Sequence, residues 1–226
     1  MDSSSSKSLN FHLGILPEKT RKALDFLSKK DWLADSRWYL AGGTALALQT
    51  GHRKSVDLDF FTQDKSFSND NLLGHFSSLA EWKTDINSQG TIYGELFGAK
   101  VSFIAYPFFT PVEKPMLFGY VKILKQPDIA VMKIIAISQR GRKRDFFDLY
   151  WLVHHGEDLE NTIRKLKNQY PTVAHDYHHI LKSLVYFEDA EKDATPEINF
   201  KVTWNEIKNF FIHHIPQITK DLVDLN

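Results

Sequence analysis

Residues 38–62 read WYLAGGTALALQTGHRKSVDLDFFT, and the fold turns on this stretch. An apolar segment, Trp38–Ala41, runs into Gly42-Gly43-Thr44, and the residues up to Thr50 read as a turn and a short helix stopped by Gly51. A second apolar segment, 56–62, carries Asp57 and Asp59 at alternate positions. In a strand, Val56, Leu58 and Phe60 would face one side and the two carboxylates the other. Neighbouring carboxylates repel, and a divalent cation relieves the repulsion. The glycine corner offers backbone N–H groups and a hydroxyl at a helix start, a setting suited to phosphate. A phosphate cradle beside a metal-binding pair is the minimum apparatus for nucleoside triphosphate chemistry.

Upstream, the Ser-rich start MDSSSSKSLN belongs to a tail, residues 1–15, expected to lack a fold of its own. Residues 16–33 have helical spacing, with Pro17 and Glu18 suited to a first turn. Downstream, 69–81 reads as a helix, and 82–87, 91–96 and 100–107 as strands jointed at Gly90, Gly94 and Gly98. Residues 107–127 look like an irregular crossing. Beyond Pro127 the periodicity is helical throughout, over 128–139, 145–155, 157–169, 174–190 and 203–215, with Asp128 placed to cap its helix or complement its dipole. The expected class is α/β (α+β): a mixed sheet with flanking helices over 16–120, then an all-helical half over 121–226.

Bulk properties exclude several functions. Among 226 residues, 28 basic side chains balance 28 acidic ones, so polyanion binding must come from local patches. Cysteine is absent, which removes disulfides, thiolate catalysis and cysteine-ligated zinc. The N-terminus lacks a signal-peptide core and there is no apolar run long enough to span a bilayer, so a cytoplasmic protein without membrane contact is expected. The histidines at 154–155, 175, 178–179 and 213–214 suit helix ends or surface better than a metal centre.

Between Lys122 and Arg144 seven basic residues face one acid, Asp128, making this the stretch able to attract a polyanion. Lys133 lies amid Val131, Met132, Ile134 and Ile135, so its ammonium reaches for a triphosphate or snorkels to solvent. Asp145 and Asp148 fall on one helix face, and the spacing allows an Arg144–Asp148 pair. Arg53 is open to three readings: near the triphosphate, paired with a carboxylate, or a solvated turn residue. Ser55 could serve only to cap a turn.

Twelve residues separate Thr44 from Asp57, and this Gly-Gly-Thr to Asp-x-Asp arrangement resembles the minimal nucleotidyltransferase superfamily. More narrowly, AGGTALALQTGHRKSVDLDFF, with Gly51, His52, Arg53 and Ser55, is similar to the AbiEii/AbiGii toxin family of nucleotidyltransferases. Asp128 to Lys133 and the run from Lys143 through Arg144, Asp145 and Asp148 to Leu149 resemble that family's later motifs. The resemblance implies a nucleotidyltransferase-like fold in which Asp57 and Asp59 hold Mg²⁺ (or Mn²⁺). It further implies that Gly42, Gly43, Thr44, Arg53, Ser55 and Lys133 bind an NTP, with Lys133 and Asp145 completing the catalytic set. An RNA acceptor, a tRNA end included, and a cognate antitoxin are also implied. One departure stands out: where the superfamily places a third carboxylate, this chain has Ser102, with Glu95 on the preceding strand as a substitute if it faces the same way.

Overall fold

The computed structural model describes residues 11–223. After a 3₁₀ turn at Leu13–Ile15 come α1 (Glu18–Leu27), β1 (Tyr39–Ala41), α2 (Gly42–Thr50), β2 (Leu58–Thr62) and α3 (Asn69–Gly74). Then follow β3 (Trp82–Ser88), β4 (Thr91–Leu96), β5 (Ala99–Ala105), β6 (Met116–Phe118) and β7 (Val121–Ile123). The remainder is helical: α4 (Gln126–Arg140), α5 (Lys143–His154), α6 (Leu159–Arg164), α7 (Leu166–Gln169), α8 (Tyr177–Ser183), α9 (Glu188–Glu191) and α10 (Trp204–Val223). The strands form one mixed sheet in the order β3-β4-β5-β2-β1-β7-β6. β2 runs antiparallel to β1 and parallel to β5, while β7 runs parallel to β1.

Alternation along β2 buries Leu58 and Phe60 and leaves Asp59 and Phe61 on the opposite face. The buried face packs toward α1, whose Thr20 hydroxyl donates to the Val56 carbonyl at 2.8 Å. The other face receives α4 and α5 across the short α2. The core runs without a break from the sheet into the C-terminal helices, through Leu46, Ile134, Phe146 and Phe211. Among the described residues no helix is long and apolar enough to cross a membrane.

Several expectations need correction. Val56 is 42% exposed, since the strand begins two residues later. Of the proposed tail, residues 1–10 lie outside the described residues, but 11–15 are packed: the His12 amide donates to Leu48 at 2.8 Å and Phe11 meets Phe118 edge-on. The helix expected to reach residue 81 ends at Gly74, where the chain turns so that Phe76 stacks on Trp82 at 4.3 Å between centroids. The crossing at 107–127 contains the β6–β7 hairpin, whose three-residue strands are too short to show a period. That hairpin straddles the division at 120–121, so the second half is not wholly helical. Asp128 lies in the first turn of α4, where its charge complements the dipole, and does not cap the helix: it is buried and accepts from the amides of Val112 and Glu113 at 3.1 and 3.0 Å, pinning the preceding loop. Helix α10 continues past residue 215 through Pro216.

Candidate active site

The acidic face of the sheet and helices α4 and α5 enclose a cavity of about 560 Å³. Its floor starts at the β1–α2 corner. Gly42 adopts φ +71°, a conformation that favours glycine. Gly43 is needed for a different reason: a Cβ there would stand 2.2 Å from the Arg53 guanidinium and 3.2 Å from the Ser55 hydroxyl. No side chain caps α2, and Gly42 and Gly43 at its start line the cavity, so the N–H groups of its first turn have no side-chain partner there.

Asp59 pairs in register with Ala41 on one side and Ser102 on the other. Ser102 Oγ donates to Asp59 Oδ1 at 2.7 Å, while Oδ2 lies 3.5 Å from where a Cβ on Gly42 would be. Burial, and then the charge of Asp57, push the Asp59 carboxyl up, with the Ser102 hydrogen bond and Arg144 and Arg140 pulling the other way. Asp57 is more exposed and lies 3.7 Å from Arg144 Nη1. Two oxygen ligands, one buried beside a like charge, suit a hard divalent cation.

Behind this floor lies a buried ionic network. Arg53 grips Asp148 with two bonds, Nε to Oδ1 at 2.5 Å and Nη2 to Oδ2 at 2.8 Å. His52 Nε2 is 2.8 Å from Asp148 Oδ1. Lys133 Nζ sits 2.6 Å from Asp145 Oδ1 and 2.5 Å from Asp148 Oδ2, and Arg140 Nε is 2.9 Å from Asp145 Oδ2. Burial alone would raise the Asp148 carboxyl, but the Arg53 and Lys133 cations and the bonds from Arg53 and His52 hold it well below the usual carboxylate range. Asp145 is likewise held low against burial by Lys133 and Arg140.

The cavity lining brings together Gly42, Gly43, Arg53, Ser55, Asp57, Asp59 and Lys133 of the expected residues. Thr44 is not among them. Its hydroxyl is buried, bonds Ser55 Oγ at 2.9 Å and donates to the Asp57 carbonyl, so it braces the approach to β2. Asp145 stands behind Lys133 and Arg140, fully buried. Arg53 is 4% exposed, which rules out the solvated-turn reading in favour of the carboxylate pair. Arg144 does not pair with Asp148; it points to Asp57. Glu95 does share the sheet face of Ser102, since Tyr93 pairs with Ser102 and Glu95 with Lys100, but it is absent from the cavity lining and Ser102 holds the third position.

The basic stretch is mostly spent internally. Lys125 pairs with Glu113, Arg142 with Asp193, and Lys143 donates to the Asp193 carbonyl. Arg140 and Arg144, each about half exposed, remain as cations at the cavity. Sequence reading gave no role to His52, nor to these two arginines as cavity cations; the adjacency of Gly51, His52 and Arg53 was a hint to the first. Most of the other histidines bond helix carbonyls: His154 to Tyr150, His155 to Trp151, His213 to Asn209 and His214 to Phe210.

The fold is similar to the crystal structure of a candidate nucleotidyltransferase from H. pylori, at TM-score 0.53 and 21% identity over 93% of this chain and 99% of that one. It is also similar to MenT4, a nucleotidyltransferase toxin from Mycobacterium tuberculosis H37Rv, at TM-score 0.46 and 14% identity over 88% of this chain and 86% of that one. An uncharacterized protein of Aquifex aeolicus (strain VF5) is 40% identical over 178 residues, 77% of this chain and 84% of that protein. The profile described as "Nucleotidyl transferase AbiEii toxin, Type IV TA system" matches residues 26–94 and 97–222. With the family's profile matched along most of its length, the chain belongs to the AbiEii nucleotidyltransferase toxins of type IV toxin–antitoxin systems.

Proposed function

We propose that the protein transfers a nucleotidyl group from an NTP to an acceptor hydroxyl, with Asp57 and Asp59 holding Mg²⁺ or Mn²⁺. One observation carries the reading: the uncapped start of α2, both carboxylates, Arg140 and Arg144 all line a single cavity. The acceptor hydroxyl gives up its proton to solvent, its oxygen bonds to the α-phosphorus, the bond to the oxygen bridging to the β-phosphate breaks, and pyrophosphate leaves with that oxygen. A bound divalent cation would neutralise phosphate charge and acidify the acceptor hydroxyl. The amides of Gly42 and Gly43 bind the departing phosphates, helped by the half-exposed arginines. Phe61, Ile104 and Tyr106 from the sheet and Met132 from α4 form an apolar wall for the nucleoside. Lys133 contributes a fixed positive charge oriented by Asp145 and Asp148, and Ser55 and Thr44 keep Asp57 in place. Family membership supports an RNA acceptor, a tRNA end included, and a cognate antitoxin; NTP and RNA as substrates support action in the cytoplasm.

The test is incubation with α-labelled NTPs, Mg²⁺ and total RNA. Label enters RNA with the wild-type protein and not with Asp59→Ala. A second reading, nucleotide binding with little turnover, draws on Ser102, whose hydroxyl already occupies Asp59 Oδ1 and cannot replace a carboxylate ligand or base. NTP-dependent thermal stabilisation without incorporation of label into any acceptor would select it.

A further inference from the structure

On the cavity face of the sheet, five residues lie in one cross-strand row: Ala41, Asp59, Ser102, Tyr93 and Ile86, each in register with the next. Tyr93 and Ile86 are 41% and 51% exposed, and both line the cavity. Strands spaced about 4.8 Å apart put Tyr93 about 10 Å from Asp59 along this row. An exposed aromatic ring beside an exposed Ile, on a sheet face otherwise closed by helices, has no partner within the described residues. Lys100, two residues before Ser102 on β5 and thus on the same face, lines the cavity there, in register with Glu95 of β4.

We propose that Tyr93 and Ile86 form a stacking platform for the terminal base of a single-stranded RNA acceptor. The proposal rests on the nucleotidyl-transfer reading above. The argument for this occupant is directional. In phosphoryl chemistry the attacking and leaving oxygens lie roughly in line through the reacting phosphorus. The Asp59 carboxylate has Gly42 beside Oδ2 and Ser102 at Oδ1, so the phosphate cradle and the platform flank it on opposite sides. Pyrophosphate leaving toward the glycine corner therefore requires attack from the Ser102–Tyr93 side. The nucleoside of the NTP has its own wall at Phe61, Ile104, Tyr106 and Met132, between the sheet and α4. The acceptor end is the substrate portion left for the platform. Bases stack on aromatic side chains without regard to sequence, and a nearby lysine suits the adjoining phosphate.

The test uses the full chain with Tyr93→Ala and Tyr93→Phe, read by separate KM values for acceptor RNA and for NTP. Stacking on one aromatic ring makes the expected loss in Tyr93→Ala roughly tenfold, as a rise in acceptor KM. The NTP KM stays unchanged, and Tyr93→Phe stays near wild type. A rise confined to the NTP KM, or no change in either, overturns the platform, as does an acceptor that proves to be a protein. If the wild type labels no acceptor at all, the transfer reading fails independently. The platform is then read from binding of a 5′-fluorescein single-stranded RNA without NTP. Binding weakened about tenfold by Tyr93→Ala and kept by Tyr93→Phe sustains the platform, given a stacking contribution of that size. Equal binding by all three proteins, or none by the wild type, overturns it.

Discussion

The Arg53 guanidinium occupies the space that a side chain on Gly43 would need: a Cβ there would approach Nη2 to 2.2 Å. The phosphate corner and the buried ionic network are thus in direct contact, and Arg53 cannot step aside without leaving Asp148.

Gly43→Ala should therefore behave as an overpacked core substitution although it lies at a turn. The expected cost is about 1–3 kcal/mol in urea unfolding. Displacement of the corner should also lower transfer on the order of a hundredfold. A variant with wild-type midpoint and turnover would show that the guanidinium relaxes freely, against the close packing described.

The network also sets the acid response. Burial depresses His52, as do the Arg53 and Lys133 cations, outweighing the pull of Asp148 toward the charged form. A group with a depressed folded pKa contributes stability that is complete above its unfolded pKa and is lost as pH falls through the folded value. For His52 the loss begins below about pH 6.5, and for Asp145 and Asp148 below about pH 3.9. Asp59 and Asp128, raised chiefly by burial, act oppositely, so the effect is read as a difference from the variant. The gap in urea midpoint between wild type and His52→Gln should change between pH 7 and 5; a constant gap contradicts the assignment. At pH 7 Asp148→Asn should cost about 3–5 kcal/mol, because it leaves Arg53 buried without its anion and Lys133 with Asp145 alone.

Asp59 shows the reverse balance. Its carboxyl is raised by burial first and by Asp57 as well, so the metal-free fold carries a strained charge. Asp59→Asn keeps the acceptor for Ser102 and removes that charge. The metal-free protein should gain about 1 kcal/mol while losing transfer, the usual trade at a functional site. Thermal melts with and without Mn²⁺ check this: the variant should melt higher alone and lose the ion-dependent rise. A variant that melts lower than wild type without metal contradicts the account.

Local patterns made much of this readable beforehand. Gly42, Gly43, Asp57 and Asp59 lie within 18 consecutive positions, where turn geometry and strand alternation suffice to group them. Lys133 stood out as a polar residue amid apolar helix neighbours, whereas Asp145 was singled out only through the resemblance of its motif to the toxin family's. What sequence could not supply was choice among partners. Arg53 finds Asp148 95 residues away, and Arg144 takes Asp57 in place of the Asp148 that helical spacing offered. Asp128 does stand in the first turn of α4, where its charge suits the helix dipole, but the amides of 112–113 that it accepts from could not be read from the sequence. The β6–β7 hairpin escaped because strands of three residues carry no periodicity.

The β1–α2 corner is finished by residues made much later. Its sheet neighbour β7 ends at Ile123, and the anion that steadies Arg53 arrives only with Asp148. A nascent chain that has emerged only to the end of β5 carries both Asp57 and Asp59 yet leaves the Arg53 cation without Asp148. During synthesis, then, the β1–α2 corner matures only after about two-thirds of the polypeptide has emerged, in keeping with domains folding as units.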